Sequence, residues 1–127
     1  MKNDIKLTIE PVRQMGSFVS GRGEAYSTKS VIYHQRDQQS VVMQVDEYNK
    51  RPFYDAWEYR GIKQVQLFQT DQILWVVVKI EEDVEWGIGS TATHEYRKSL
   101  DFGKTWQECN GHEWVNIAPG ATLVLTI

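Results

Sequence analysis

A chain of 127 residues with 41% apolar and 24% charged side chains has the size and composition of one globular domain, so residues 1–127 are read as a single unit and a disordered chain is excluded. A net charge of −3 with both signs interspersed offers no basic face to track phosphates, which sets nucleic acid aside as a partner. The apolar run 73–78 is far short of the ~20 residues that cross a bilayer, the first twenty residues hold no signal-like segment, and the single Cys109 excludes an internal disulfide and a multi-thiolate zinc site. A soluble protein made in the cytosol, without membrane contact, cofactor or metal, is therefore expected.

Period-two alternation recurs along the chain, and no window of a dozen residues sustains the i, i+3, i+4, i+7 stripe of an amphipathic helix. Ile5, Leu7 and Ile9 alternate with Lys6 and Thr8 in a first strand that Pro11 ends. Phe18 and Val19 lead to a turn at Gly21-Arg22-Gly23. Ala25 to His34 form a longer strand, with Val31 and Tyr33 on one face and Ile32 on the other, before a polar loop from Gln35 to Gln39. Val41, Met43 and Val45 then alternate strictly.

Two readings compete from Asp46 to Gly61. Pro52 could open a short helix that Gly61 closes, or Phe53, Trp57 and Tyr59 share one face of a strand, and the strand is favoured. Lys63–Gln69 and Gln72–Ile80 form a hairpin about Thr70 and Asp71, and the unbroken Ile73-Leu74-Trp75-Val76-Val77-Val78 implies a central strand buried on both faces. After the acidic turn Glu81-Glu82-Asp83, an extended segment runs from Trp86 toward Arg97, with Gly87 and Gly89 marking a bulge. The last segment is a Pro119-Gly120 turn and a strand with Leu123, Leu125 and Ile127 on one side. The expected fold is all-β: a single antiparallel sandwich or jelly-roll-like domain of about nine to ten short strands and at most one short helix.

The octet Ser99-Leu100-Asp101-Phe102-Gly103-Lys104-Thr105-Trp106 reads S-x-D-x-G-x-T-W. The Asp101 carboxylate can accept hydrogen bonds from amides of its own turn, and Gly103 supplies a φ that other residues resist. Ser99 and Thr105 add local side-chain bonds, and Trp106 anchors the hairpin in the core. The octet resembles the Asp-box, the hairpin repeat of sialidases and related β-propellers, at its five defining positions: Ser99, Asp101, Gly103, Thr105 and Trp106. The resemblance covers eight residues and appears once, whereas a propeller repeats the box over several times this length, so it implies a structural staple and no sialidase activity. The final strand is similar in style to the closing strand of jelly-roll modules in phage tail and other virion proteins.

Four further groups of residues bear on chemistry. His94-Glu95 and His112-Glu113 begin the zinc pattern H-E-x-x-H, but Lys98 and Asn116 stand where the second imidazole belongs, and neither segment reads as helical. Cys109, with Glu108 and His112 near it, lies on a loop too short for a convincing nucleophile pair, and reads as an inert filler. Gly21-Arg22-Gly23 and Gly87-Ile88-Gly89 lack the context of a phosphate loop. Asp46, Glu47, Asp55 and Glu58 read as exposed strand carboxylates.

Five Trp and six Tyr are many for this length, and Tyr54, Trp57, Tyr59 and Trp86 are candidate binding aromatics. The favoured function is a non-catalytic assembly or binding module acting through protein–protein contacts, with a protein partner or further copies of itself, including a structural part of a phage virion. Alternatives are a carbohydrate-binding module with a glycan ligand, and an intracellular inhibitor or immunity protein. An enzyme ranks last.

Overall fold

The computed structural model describes residues 4–19, 22–50, 58–84 and 91–127. Among the described residues eight strands run in chain order: β1 (Ile5–Val19), β2 (Arg22–Gln35), β3 (Gln38–Lys50), β4 (Glu58–Thr70), β5 (Ile73–Val84), β6 (Thr91–Ser99), β7 (Gln107–Cys109) and β8 (Thr122–Thr126). A short helix α1 (Gly111–Ile117) and a 3₁₀ turn (Ala118–Gly120) precede β8. Pairing is antiparallel throughout and follows a meander from β1 to β7, while β8 returns to pair with β4.

β4 has two neighbours along the same edge. Its first residues, Glu58–Arg60, pair with Tyr48–Lys50 of β3, and Gln66–Gln69 pair with β8. Where β3 leaves β4, the Glu47 carboxylate accepts the Ile62 amide at 2.8 Å, so a side chain replaces the missing backbone partner. The resulting splay lets the β1–β3 layer close over the β4–β5 layer. Leu7, Val31, Tyr33, Val42, Met43 and Val45 meet Val65, Leu67, Leu74, Val76, Val78 and Ile80 in one core, with Trp106 and Leu125 packed against it. Full burial stabilises each such aliphatic side chain by roughly 1.5–3 kcal/mol.

β5 lies at the centre, as its unbroken apolar run requires. Leu74, Val76, Val78 and Ile80 face the main core, while Trp75 and Val77 face a second cluster built on α1. Seven residues are too few for a free-standing helix. α1 is held by Asn110, whose side chain caps the Glu113 amide at 2.9 Å, and by Trp114, whose ring lies 4.7 Å from Phe68 and 5.6 Å from Trp75.

The described strands are longer than their sequence punctuation suggests. Pro11 does not end β1, because β1 is an edge strand with no second partner among the described residues, and a register shift between Pro11 and Arg13 absorbs the missing donor. The expected loop from Gln35 to Gln39 contracts to Arg36-Asp37, and the β4–β5 turn centres on Asp71-Gln72, one residue later than expected. Arg36 (φ 56°) and Asp71 (φ 48°) take the left-handed conformation that such two-residue turns use.

Two bulges also break expected alternations. β3 carries Val42 as an extra residue opposite β2, so Val42 and Met43 turn inward and Val41 faces solvent. β8 carries Val124 as an extra residue opposite β4, so Leu125 pairs with Leu67 of the core while Leu123 pairs with Phe68 on the other face. Leu123, Leu125 and Ile127 therefore do not share one side. The helix also stands at 111–117, where His112 had been read as non-helical; of the 46–61 segment, residues 46–50 and 58–61 are strand and the remainder lies outside the described residues.

Candidate binding site at the 99–106 turn

Residues 99–106 connect β6 to β7, whose pairing brings Lys98 opposite Gln107. The chain closes on itself through a compact network. The Ser99 hydroxyl, fully buried, accepts the Gly103 amide at 2.7 Å and donates to Asp101 Oδ1 at 2.8 Å. Asp101 Oδ1 also accepts the Thr105 amide at 2.9 Å, and Oδ2 accepts the Thr105 hydroxyl at 2.6 Å. These bonds favour the charged carboxylate, the Thr105 hydroxyl most, and hold the Asp101 pKa down at about 2.

Gly103 sits at φ +90° against the ring of Tyr33, where a β-carbon would come within 2.2 Å of a ring carbon. The turn is thus fastened to β2 by contact and to β3 by hydrogen bonds. Trp106 Nε1 donates to Ser40 Oγ at 2.8 Å, and that hydroxyl donates onward to the Gly103 carbonyl. Trp106 also meets Tyr33 edge to face at 5.5 Å. Burial raises the Tyr33 pKa, and its hydroxyl donates to Gln35 Oε1 at 2.9 Å.

This junction places the 99–106 turn beside the β2–β3 hairpin tip. Between them runs a shallow groove: a hollow of about 400 Å³ lined by Tyr33, Gln39 and Gly103, adjoining one of about 320 Å³ lined by Arg36 and Phe102. Asp37, Gln38 and Lys104 border both. The lining offers amide, carboxylate and cationic groups beside the rings of Tyr33 and Phe102. It can hold a ligand by hydrogen bonds and stacking, and it contains no paired nucleophile and base.

The five motif residues Ser99, Asp101, Gly103, Thr105 and Trp106 therefore come together, and Ser40 and Tyr33 join them from another layer. In the sequence Tyr33 shares one strand face with Val31, and Ser40 stands out in no way, since a serine in a strand carries no local sign of partners more than sixty residues away. Among the four candidate aromatics, Tyr54, Trp57 and Trp86 lie outside the described residues. Tyr59 is half-buried, folded over Gly61, with the Lys63 ammonium 5.5 Å from its ring centre.

Of the remaining candidates for chemistry, Asp55, Gly21 and the Gly87-Ile88-Gly89 segment lie outside the described residues, and most of the others have structural partners. Cys109 packs in the second core cluster, and burial, then the nearby Glu113 carboxylate, pushes its thiol pKa up, opposite to what a nucleophile needs. Glu113 is paired with Lys98, and His112 is exposed on α1. His34 shares a hydrogen bond with Thr8 at 2.8 Å, and His94 stacks on Tyr96 at 6.3 Å. Asp46 accepts the Thr28 hydroxyl at 2.9 Å. Among the described residues no three or more His, Cys, Asp or Glu side chains gather to hold a metal ion, and no helix is long and apolar enough to cross a membrane.

No family model matches this chain, and no curated protein or solved structure matches it either.

Proposed function

We propose that the protein is a non-catalytic binding module that acts through protein–protein contacts, with the 99–106 turn as its presented surface. One observation carries this reading: Leu100 and Phe102 stand 56% and 54% exposed on a turn whose every other motif position is tied down. Phe102 does so at φ +58°, a conformation that costs an L-residue about 1–2 kcal/mol. Folding alone gains nothing from a large apolar ring held in water on a left-handed backbone. A partner that buries the ring does gain, because the side chain is already positioned and little freedom is lost on binding.

The Asp-box-like network then acts as a staple that keeps the display rigid, which agrees with the non-catalytic role implied by the resemblance. Membership of a larger assembly, such as a virion, extends the same reading and is supported by the likeness of the final strand.

The test is a photo-crosslinking residue at position 102 in the otherwise native chain, exposed to extract from the source organism. A discrete protein adduct is expected, competed by excess unlabelled wild type and not by an equally stable Phe102→Asp chain. Failure of wild type to compete, or equal competition by both chains, would overturn the assignment.

A second reading is favoured by the groove itself, whose Gln35, Gln38, Asp37 and Arg36 side chains beside Phe102 suit the hydroxyls and the apolar face of a sugar. Glycan-array binding that Phe102→Asp abolishes would select it over the protein partner.

A further inference from the structure

Three described residues other than glycine hold a left-handed backbone: Arg36 (φ 56°), Asp71 (φ 48°) and Phe102 (φ 58°). Aspartate is a residue that turns favour in this conformation, because its short side chain satisfies nearby backbone groups. Arginine and phenylalanine gain nothing of the kind, and a turn that only had to close would carry glycine or asparagine at either place. Both border one hollow, that of about 320 Å³ between the β2–β3 hairpin tip and the 99–106 turn. Two separate loops each hold a large side chain there at a conformational cost.

The charged groups around Phe102 are largely unengaged. Arg36 has one carboxylate near it, that of Asp4 at 3.8 Å, and its side chain is 68% exposed. Lys104, exposed on the same rim, makes no ion pair among the described residues. The Asp101 carboxylate does not compete for these cations, since Ser99 and Thr105 take up its oxygens. Two cations and the single carboxylate of Asp37 line the hollow, which makes it locally positive on a chain whose net charge is −3. Asp37 and Gln38 can pair with the N–H and C=O groups of an extended chain.

We infer that this groove takes an extended segment of the partner protein in which an apolar side chain and a carboxylate stand two residues apart. The apolar group packs on Phe102, Arg36 and Lys104 hold the carboxylate, and Asp37 and Gln38 pair with the segment's backbone. An extended chain sends side chains two apart to the same face, which sets the spacing. A basic segment would meet two cations of its own sign, and a neutral sugar would leave both without a counter-charge. The inference rests on the protein-partner reading and adds to it the chemistry that the partner presents.

The probe is a synthetic peptide, threonine-leucine-threonine-glutamate-threonine, blocked at both ends and titrated into the isotope-labelled full chain to about 10 mM. The backbone amide resonances of Gln38, Gly103 and Lys104 should shift saturably. Changing the probe's glutamate to glutamine should weaken binding about three- to tenfold, and raising the salt to about 0.5 M should remove most of the difference. A chain carrying Arg36→Gln and Lys104→Gln, with an unchanged melting temperature, should bind both peptides at the weaker level. The salt titration of wild type carries the same test should that double variant misfold. Equal binding of the glutamate and glutamine peptides to wild type, tighter binding of a lysine peptide, or shifts given by a neutral oligosaccharide and by no peptide would each refute the inference.

The crosslink at position 102 keeps this failure apart from that of the parent reading. The adduct should weaken when Arg36→Gln and Lys104→Gln are added to the crosslinking chain. An adduct of undiminished yield removes the carboxylate and leaves the protein partner standing, whereas loss of any competed adduct from the otherwise native chain removes both.

Discussion

Replacing Gly103 by alanine is the sharpest perturbation of the junction between the turn and the sandwich. The new methyl carbon would sit 2.2 Å from one carbon of the Tyr33 ring and 2.6 Å from the next, at a backbone φ of +90°. The conformational part costs about 1–2 kcal/mol, and forcing a methyl group into a filled space about 1–3 kcal/mol. Together they remove roughly 2–5 kcal/mol from a domain whose whole stability is of order 5–15 kcal/mol.

Urea unfolding followed by far-ultraviolet circular dichroism measures the loss. In a Tyr33→Ala background the ring is gone, and Gly103→Ala should cost only the conformational part, about 1–2 kcal/mol. Gly120→Ala is the matched control, since a β-carbon there meets nothing within 4 Å, and its effect should stay within about 1 kcal/mol. A Gly103→Ala chain within about 0.5 kcal/mol of wild type, or the same cost in both backgrounds, would refute the packing argument.

Other consequences are equally direct. The Asp101 pKa is held at about 2, below its ordinary value of 3.8, so the stability it supplies is complete above the ordinary value and is lost as pH falls through the folded one. The difference in unfolding free energy between wild type and Asp101→Asn should be flat near neutral pH and should shrink between about pH 4 and pH 2; a constant difference across that range would contradict the hydrogen-bond network. Trp114→Ala should destabilise the chain by about 3–5 kcal/mol through the loss of its contacts with Phe68 and Trp75, with a matching loss of near-ultraviolet dichroism. Burial raises the Cys109 thiol pKa, so a chromogenic disulfide reagent at neutral pH should react more slowly with the native chain than with the urea-unfolded one; equal rates would place the thiol in solvent.

Features that rest on local pattern were legible in the sequence. The run 73–78 announced a strand with two buried faces, and β5 has them. The octet at 99–106 announced a self-bonded turn, since each partner lies within four residues of its mate. Features set by pairing were not legible: the bulges at Val42 and Val124 depend on the strand opposite, yet each reverses the side-chain pattern that alternation predicts. Pro11 reads as a stop only if the strand has neighbours on both sides. Helix α1 did leave a local trace, with Asn110 three residues before Glu113 and Pro119-Gly120 beyond the end, but its seven residues are too few to show a helical period. Ser40 left no trace, because its role arises from two residues that reach it only in the folded chain.

The division of β4 between β3 and β8 bears on how the molecule comes apart. One continuous backbone is stitched into both layers, so neither layer can peel away without breaking the strand that carries the other. Hydrogen exchange should then show the amides of Val65 and Leu67 among the slowest, released together with those of β2 and β5 in one concerted opening.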